Sequence, residues 1–194
     1  QCLKKEPQWG VANRIARALG KIGGEFARDG LLKAVNSPDV KIRAGIVQAL
    51  GEFMDDEKVA RALKKIAQGD PSYRVEAGAL SSLGRIKAKN CRPFLEGFLT
   101  RPSHNDIGRS AIFRALANLE EEQAWATLLE GADYGAARGS RFSAIQGLAK
   151  LAGRFEHLKP EAINTLKRFA QETRGTPSAT FRGKLAAIQA MGEL

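Results

Sequence analysis

At 194 residues, with 31 Lys and Arg against 21 Asp and Glu, the chain carries a formal net charge of +10. Its 43% hydrophobic content excludes a disordered polymer, and no apolar run approaches the roughly 18 residues a membrane-spanning helix needs. No stretch alternates apolar and polar residues with period two, so strands are not expected.

The first helical stretch, about residues 8–22, ends in Ala18-Leu19-Gly20. A second apolar helix around Leu31-Leu32 follows, and Ser37-Pro38-Asp39 breaks the chain and offers a cap to the next helix. The pattern then repeats. Ala49-Leu50-Gly51 closes a helix, Ala62-Leu63 marks its partner, and Asp70-Pro71-Ser72 breaks it. Leu83-Gly84, with Phe94-Leu95 in the partner, precedes the break Pro102-Ser103-His104-Asn105-Asp106. Leu116 and Leu128-Leu129 form the fourth pair. Leu148 and, after an insertion, Ile163, Leu166 and Phe169 form the fifth, and Met191 ends a sixth first helix.

Aligning on Leu19, Leu50, Leu83, Leu116, Leu148 and Met191 gives intervals of 31, 33, 33, 32 and 43 residues. Three positions earlier stand Ala16, Val47, Leu80, Phe113, Ile145 and Ile188, all apolar. One position to either side of the anchor every residue is small, and three positions later stand Ile22, Phe53, Ile86, Leu119, Leu151 and Leu194. Apolar residues at this spacing form one stripe on a helix. The small columns allow a neighbouring helix to approach closely, and the glycines are expected to let the chain leave through a left-handed residue. One helix pair cannot bury its own apolar face, whereas stacked pairs can. The expectation is therefore an all-α, right-handed α-solenoid of about five and a half helix-pair repeats in a single domain. Its units fall at about 8–38, 39–69, 70–104, 105–136 and 137–175, with a capping helix over 177–194. In that last helix Phe181, Leu185, Ile188 and Met191 are expected to face inward, backed by Arg182, Gln189 and Glu193.

Polar residues offer little chemistry. The histidines, His104 and His157, have no neighbour at metal-ligand spacing, and no Gly-rich phosphate loop or nucleophile motif is present. The acidic pair Asp55-Asp56 and the run Glu120-Glu121-Glu122 fall at turns, where helix dipoles favour them. Seven positions before the anchor stand Arg43, Arg109 and Arg141. Two turns from the leucine, they project on its side of the helix and are expected to form a structural ladder to an Asp or a backbone carbonyl of the adjacent unit. Ten before the anchor, Trp9, Val40, Tyr73 and Phe181 share a column read as helix-start packing in preference to a binding platform. Trp125 and Tyr134 are the best exposed-aromatic candidates, with a half-buried role preferred, and Trp9, Val11 and Ile15 mark an uncapped apolar end. These five residues form the candidate interface. Cys2 and Cys91 have no C-x-x-C spacing and read as free thiols in a reduced, cytoplasmic compartment, although a targeting segment could precede Gln1.

The roughly 32-residue helix pair with Asp-Pro turns, a first-helix Arg and a small-Leu-Gly ending resembles the HEAT-like repeat of the short bacterial type first described in phycobilin lyases. The segments QWGVANRIARALGKIGG (8–24), QGDPSYRVEAGALSSLGRI (68–86) and RPSHNDIGRSAIFRALANL (101–119) are also similar to the C-terminal repeats of prokaryotic zinc aminopeptidases of the aminopeptidase N family. That resemblance implies a non-catalytic domain packed on an upstream catalytic domain and restricting access to its active site. Any zinc would be held by the parent, because the family's ligands, general-base Glu and Gly-x-Met-Glu-Asn loop have no counterparts here. This chain itself is expected to need no cofactor and to bind protein. The alternatives are a free-standing interaction scaffold or lyase-like chaperone and, third, a DNA-binding relative of the alkylpurine glycosylases. Second helices such as EKVARALKKIAQ alternate charge sign, so only weak, non-specific nucleic-acid binding is expected.

Overall fold

The computed structural model describes residues 6, 8–133, 138–172 and 177–194, and among them every regular element is helical. In chain order the helices are α1 (Trp9–Ile22), α2 (Gly24–Ala34), α3 (Val40–Leu50), α4 (Glu57–Gly69), α5 (Tyr73–Arg85), α6 (Arg92–Glu96), α7 (Ile107–Leu119), α8 (Trp125–Ala132), α9 (Arg138–Arg154), α10 (Lys159–Ala170) and α11 (Pro177–Met191). They pack as two compact units, residues 1–93 and 94–194. No helix is long and apolar enough to cross a membrane among the described residues.

Turn chemistry sets the starts. Asp39 accepts from the backbone N–H of Lys41 and Ile42 to cap α3, and Asp56 accepts from Val59 N–H to cap α4. The Asp70 carboxylate accepts from Ser72 N–H, and Ser103 Oγ accepts from Gly108 N–H in the first turn of α7. Pro160 sits in the first turn of α10, where its missing N–H removes no helical bond.

Within the first unit, α1, α3 and α5 lie side by side as one layer, with α2 and α4 packed behind them. The second unit repeats this with α7, α9 and α11 in front and α8 and α10 behind. The core lies between the layers. Val47, Leu50, Leu80, Leu83, Leu116, Ile145, Leu148 and Leu151 are all fully buried, each contributing roughly 1.5–3 kcal/mol of transfer free energy. At the ends the same columns are covered unevenly: Ala16 is buried, but larger terminal copies lie open where no neighbouring unit covers them. Ile22 is 76% exposed and Ile188 56%.

Two expectations are corrected here. The glycine of the repeated ending does not take a left-handed conformation, since Gly20 lies inside α1 and Gly51 has φ −67°. It is there for close approach. A Cβ on Gly20 would lie 2.9 Å from the Ala49 carbonyl oxygen, and one on Gly51 2.8 Å from Ser82 Oγ. The left-handed exits come about a turn later, at Gly23, Asp55, Lys87 and Glu120. The second correction concerns α11. It buries its small side, Gly183, Ala186, Ala187 and Ala190, and leaves Phe181, Leu185 and Ile188 exposed, so it is not a polar-backed cap. Small residues let α11 sit close to α9, and a Cβ at Gly183 would already meet Arg141 Nη1 at 3.0 Å.

Candidate functional site

The solvent side of α1, α3 and α5 forms a groove of about 370 Å³. On α1 the stripe Trp9, Asn13, Arg17 and Lys21, spaced every four residues, lines it. From α3 come Lys41 and Gln48, from the turn after it Glu52, and from α5 Arg74 and Arg85. The floor is made by Ala44, Gly45 and Ala49, small enough for α1 and α3 to close on each other. A Cβ at Gly45 would lie 1.9 Å from Asn13 Oδ1, which is buried without a hydrogen-bond partner.

Charge dominates this groove. Five cations face a single carboxylate, Glu52, which is already paired with Arg85. Arg85 also donates to the Gln48 carbonyl at 3.4 Å. Lys41 Nζ sits 4.6 Å from the Trp9 ring centroid, a cation–π contact at a partly exposed site. Arg17, Lys21 and Arg74 are exposed, with no ion pair among the described residues.

The second unit holds a comparable groove of about 440 Å³ on the equivalent face of α7 and α9, closed by Glu193 just beyond α11. Arg114, Asn118, Gln146, Lys150 and Glu193 line it, and Lys150 donates to Asn118 Oδ1. Both grooves draw on the same columns. Two positions before the anchor stand Arg17, Gln48, Arg114 and Gln146, and two after stand Lys21, Glu52, Arg85, Asn118, Lys150 and Glu193. Sequence reasoning missed these residues because polar side chains between small ones read as plain solvated surface. Their recurrence beside the small columns was the available signal.

The arginines seven before the anchor turn inward. Arg43 grips Asp70 with Nε at 2.7 Å and Nη2 at 3.0 Å, and donates from Nη1 to the carbonyls of Ser37 and Pro38. Burial pushes the Asp70 carboxyl up, but the Arg43 hydrogen bonds, the Ser72 N–H and the guanidinium charge outweigh it and hold the group below its ordinary value. Arg141 donates to the Ala132 carbonyl at 2.8 Å and to Glu172 at 2.6 Å, and its guanidinium lies 5.3 Å from the Phe169 ring centroid. Arg109 donates to the Leu99 carbonyl at 2.9 Å and pairs with Asp106 at 3.0 Å, more open to solvent. A second ion-pair cluster on α2 and α4, absent from the sequence reading, links Arg28 to Asp29 and Asp56, and Lys58 to Asp29.

The aromatic expectations divide. Trp9 and Tyr73 are about half exposed and Phe181 is 65% exposed, so the column ten before the anchor is largely open to solvent, with Trp9 resting on Lys41 at the start of α3. Trp125 is only 9% exposed, part of the core at the start of α8 and unavailable to a partner. Tyr134 lies outside the described residues. Val11 is exposed and Ile15 half-buried, on α1 beside Ile22 and the exposed Phe26 of α2. No group of three His, Cys, Asp or Glu residues is placed to hold a metal among the described residues, and Cys91 is buried.

Among solved structures, human deoxyhypusine hydroxylase in complex with glycerol aligns over 98% of this chain and 93% of its own, with a TM-score of 0.47 and 12% identity. The chain is 31% identical over 130 residues to phycocyanobilin lyase subunit alpha of Nostoc sp., a match covering 61% of this chain and 46% of that protein. It thus spans less than half the length of that relative. The family model for HEAT repeats matches residues 1–82 and 60–149. Repeated helix pairs, small-residue contact columns and this match lead to one conclusion: the chain belongs to the HEAT-repeat family.

Proposed function

We propose that the chain is a non-catalytic protein-interaction scaffold that holds its partner on the first-helix face. The observation that carries this reading is the recurrence of groove-lining polar residues at the same two columns in both units. A stacked repeat must bury its apolar stripe and its small columns to fold. The positions two before and two after the anchor are free of that duty, and they are the ones that open into grooves. Similarity to a phycocyanobilin lyase subunit supports a lyase-like, chaperone-like member of the class, one that presents another protein to its chemistry. Proteins captured by the chain should be identified, purified and their affinities re-measured against matched variants. Gln48→Tyr and Gln146→Tyr, in the grooves, should weaken binding, whereas Gln68→Tyr on the exposed side of α4 should not. Equal effects of all three would reject the first-helix face.

A second reading has the chain as the C-terminal domain of a zinc aminopeptidase, packed on its catalytic domain and limiting access to the active site. It is favoured by the exposed apolar residues of α1 and α2, above all Ile22 and Phe26, the latter 92% exposed. Such a surface, left open to water, forgoes roughly 25 cal/mol per Å² that a docked domain would recover. Under this reading Trp9→Ala and Phe26→Ser weaken association with separately expressed upstream domains. Unchanged association rejects it.

A further inference from the structure

The two grooves share their columns but not their charge, and the difference points to a ligand. In the first unit Arg17, Lys21, Lys41, Arg74 and Arg85 face Glu52 alone; in the second, Arg114 and Lys150 face Glu193. Several cations elsewhere in the first unit are matched by carboxylates, and among the described residues the others outside the groove are not gathered in one pocket. Arg43 has Asp70, Arg28 has Asp29 and Asp56, and Lys58 has Asp29. Unmatched cations side by side repel one another and weaken the free protein, so a groove that gathers them is explained by an anion that arrives from outside.

We propose that the α1–α3–α5 groove binds an acidic polypeptide segment in extended form. This rests on the reading of the first-helix face as the contact surface. At helix spacings of about 8–10 Å, crossing three helices takes about 20 Å, or roughly six residues of extended chain. Arg17 and Arg74 present planar forks that match carboxylates two bonds at a time, and Lys21 adds a point charge. Gln48, exposed between them, both donates and accepts, as a peptide backbone requires. Trp9 offers an apolar edge at the α1 end of the groove.

Two features favour a polypeptide over a nucleic acid. Lys41 occupies a face of the Trp9 ring, so that face is closed to a stacked base. Glu52 stands within the groove, where it can accept a peptide backbone N–H, a donor that a phosphodiester backbone does not offer.

The test uses the full chain and fluorescence anisotropy with a labelled peptide of glutamates interrupted by single leucines. A glutamine-for-glutamate copy and a single-stranded oligonucleotide of equal charge are run beside it. The glutamate peptide should bind, the glutamine copy should not, and the oligonucleotide should bind more weakly. Arg17→Glu and Arg74→Glu, both at exposed positions, should each lower affinity about tenfold, while Lys65→Glu on α4 leaves it unchanged. Absence of peptide binding at about 50 mM salt, equal loss with Lys65→Glu, or tighter oligonucleotide binding lost through Arg17→Glu would each overturn the proposal. If the peptide fails while Gln48→Tyr still weakens an identified partner, only the acidic ligand is rejected. If the partner responds equally to Gln68→Tyr, the first-helix reading itself falls.

Discussion

Arg43→Ala tests whether the arginines seven before the anchor hold the repeats together. The substitution removes four hydrogen bonds, two to Asp70 at 2.7 and 3.0 Å and two to the carbonyls of Ser37 and Pro38 at 3.0 and 3.1 Å. The Arg43 side chain is 15% exposed and that of Asp70 8%, so water replaces the lost partner poorly. Breaking a fully buried pair by removing one member costs about 3–5 kcal/mol, and a fully exposed pair about 0–1. Asp70 retains the Ser72 N–H and the Pro38 turn is open to solvent, which places the expected loss at about 2–4 kcal/mol. Urea denaturation followed by far-ultraviolet circular dichroism measures it as a lowered midpoint at constant slope. A double-mutant cycle with Asp70→Ala should show a coupling of about 1–3 kcal/mol. Arg43→Lys should recover only part of the stability, because an ammonium cannot make the two-pronged contact. A loss below about 0.5 kcal/mol, or full rescue by lysine, would refute a structural ladder at this position.

Arg109→Ala, with a side chain 34% exposed, should cost about 1–2 kcal/mol in the same assay. Stability should also fall in acid. Hydrogen bonds from Lys58 and Arg28 lower the Asp29 carboxyl to about 2, and those of Asp56 and Asp70 are lowered despite their burial. Folded values below the unfolded one give stability that is complete above about pH 4 and is lost as pH falls through the folded values toward about 2. A urea midpoint that begins to fall above about pH 5 would contradict this, and Asp70→Asn should make the acid limb shallower. Gly51→Val, which forces a Cβ to within 2.8 Å of Ser82 Oγ, should destabilise by about 1–3 kcal/mol. Gly30→Ala, in α2 with nothing within 4 Å, should stabilise by about 0.5–1 kcal/mol, and the reverse order in thermal melts would discredit the close-approach account. Leu83→Asp, placing a charge at a fully buried position between layers, should abolish cooperative melting of the first unit.

The repeat was legible because a fold that stacks one element on copies of itself imposes the same contacts at the same columns. Val47, Leu80, Phe113 and Ile145 are all buried as their column requires. The ends were not legible, since a column states which side faces a neighbour but not whether one is present. Ile22 and Ile188 carry the interior pattern and lie in solvent. The last helix misled for a related reason. Its largest apolar residues suggest a buried stripe through Phe181, Leu185 and Ile188, but Gly183, Ala186 and Ala190 permit a shorter axis-to-axis distance. Trp125 was an exposed-aromatic candidate with a half-buried role preferred, and the packing of α8 buries it further, as core.

The basic residues divide by column, and the division separates folding from binding. Those seven before the anchor lie two turns from the leucine, on its side of the helix, where burial makes an unpaired cation costly. Each of Arg43, Arg109 and Arg141 accordingly has a carboxylate and at least one backbone carbonyl. Those two before and two after the anchor flank the small residues, on the opposite edge of the contact, where water solvates them whether or not a partner is present. Nothing in folding requires Arg17 or Lys21, or the exposed Arg74 nine before its own anchor, to be cationic, and their mutual repulsion works slightly against it. Net charge alone therefore says little about what this chain binds. Its cations include a folding share, paired within the repeats, and a share gathered in one groove where Glu52 is the single carboxylate.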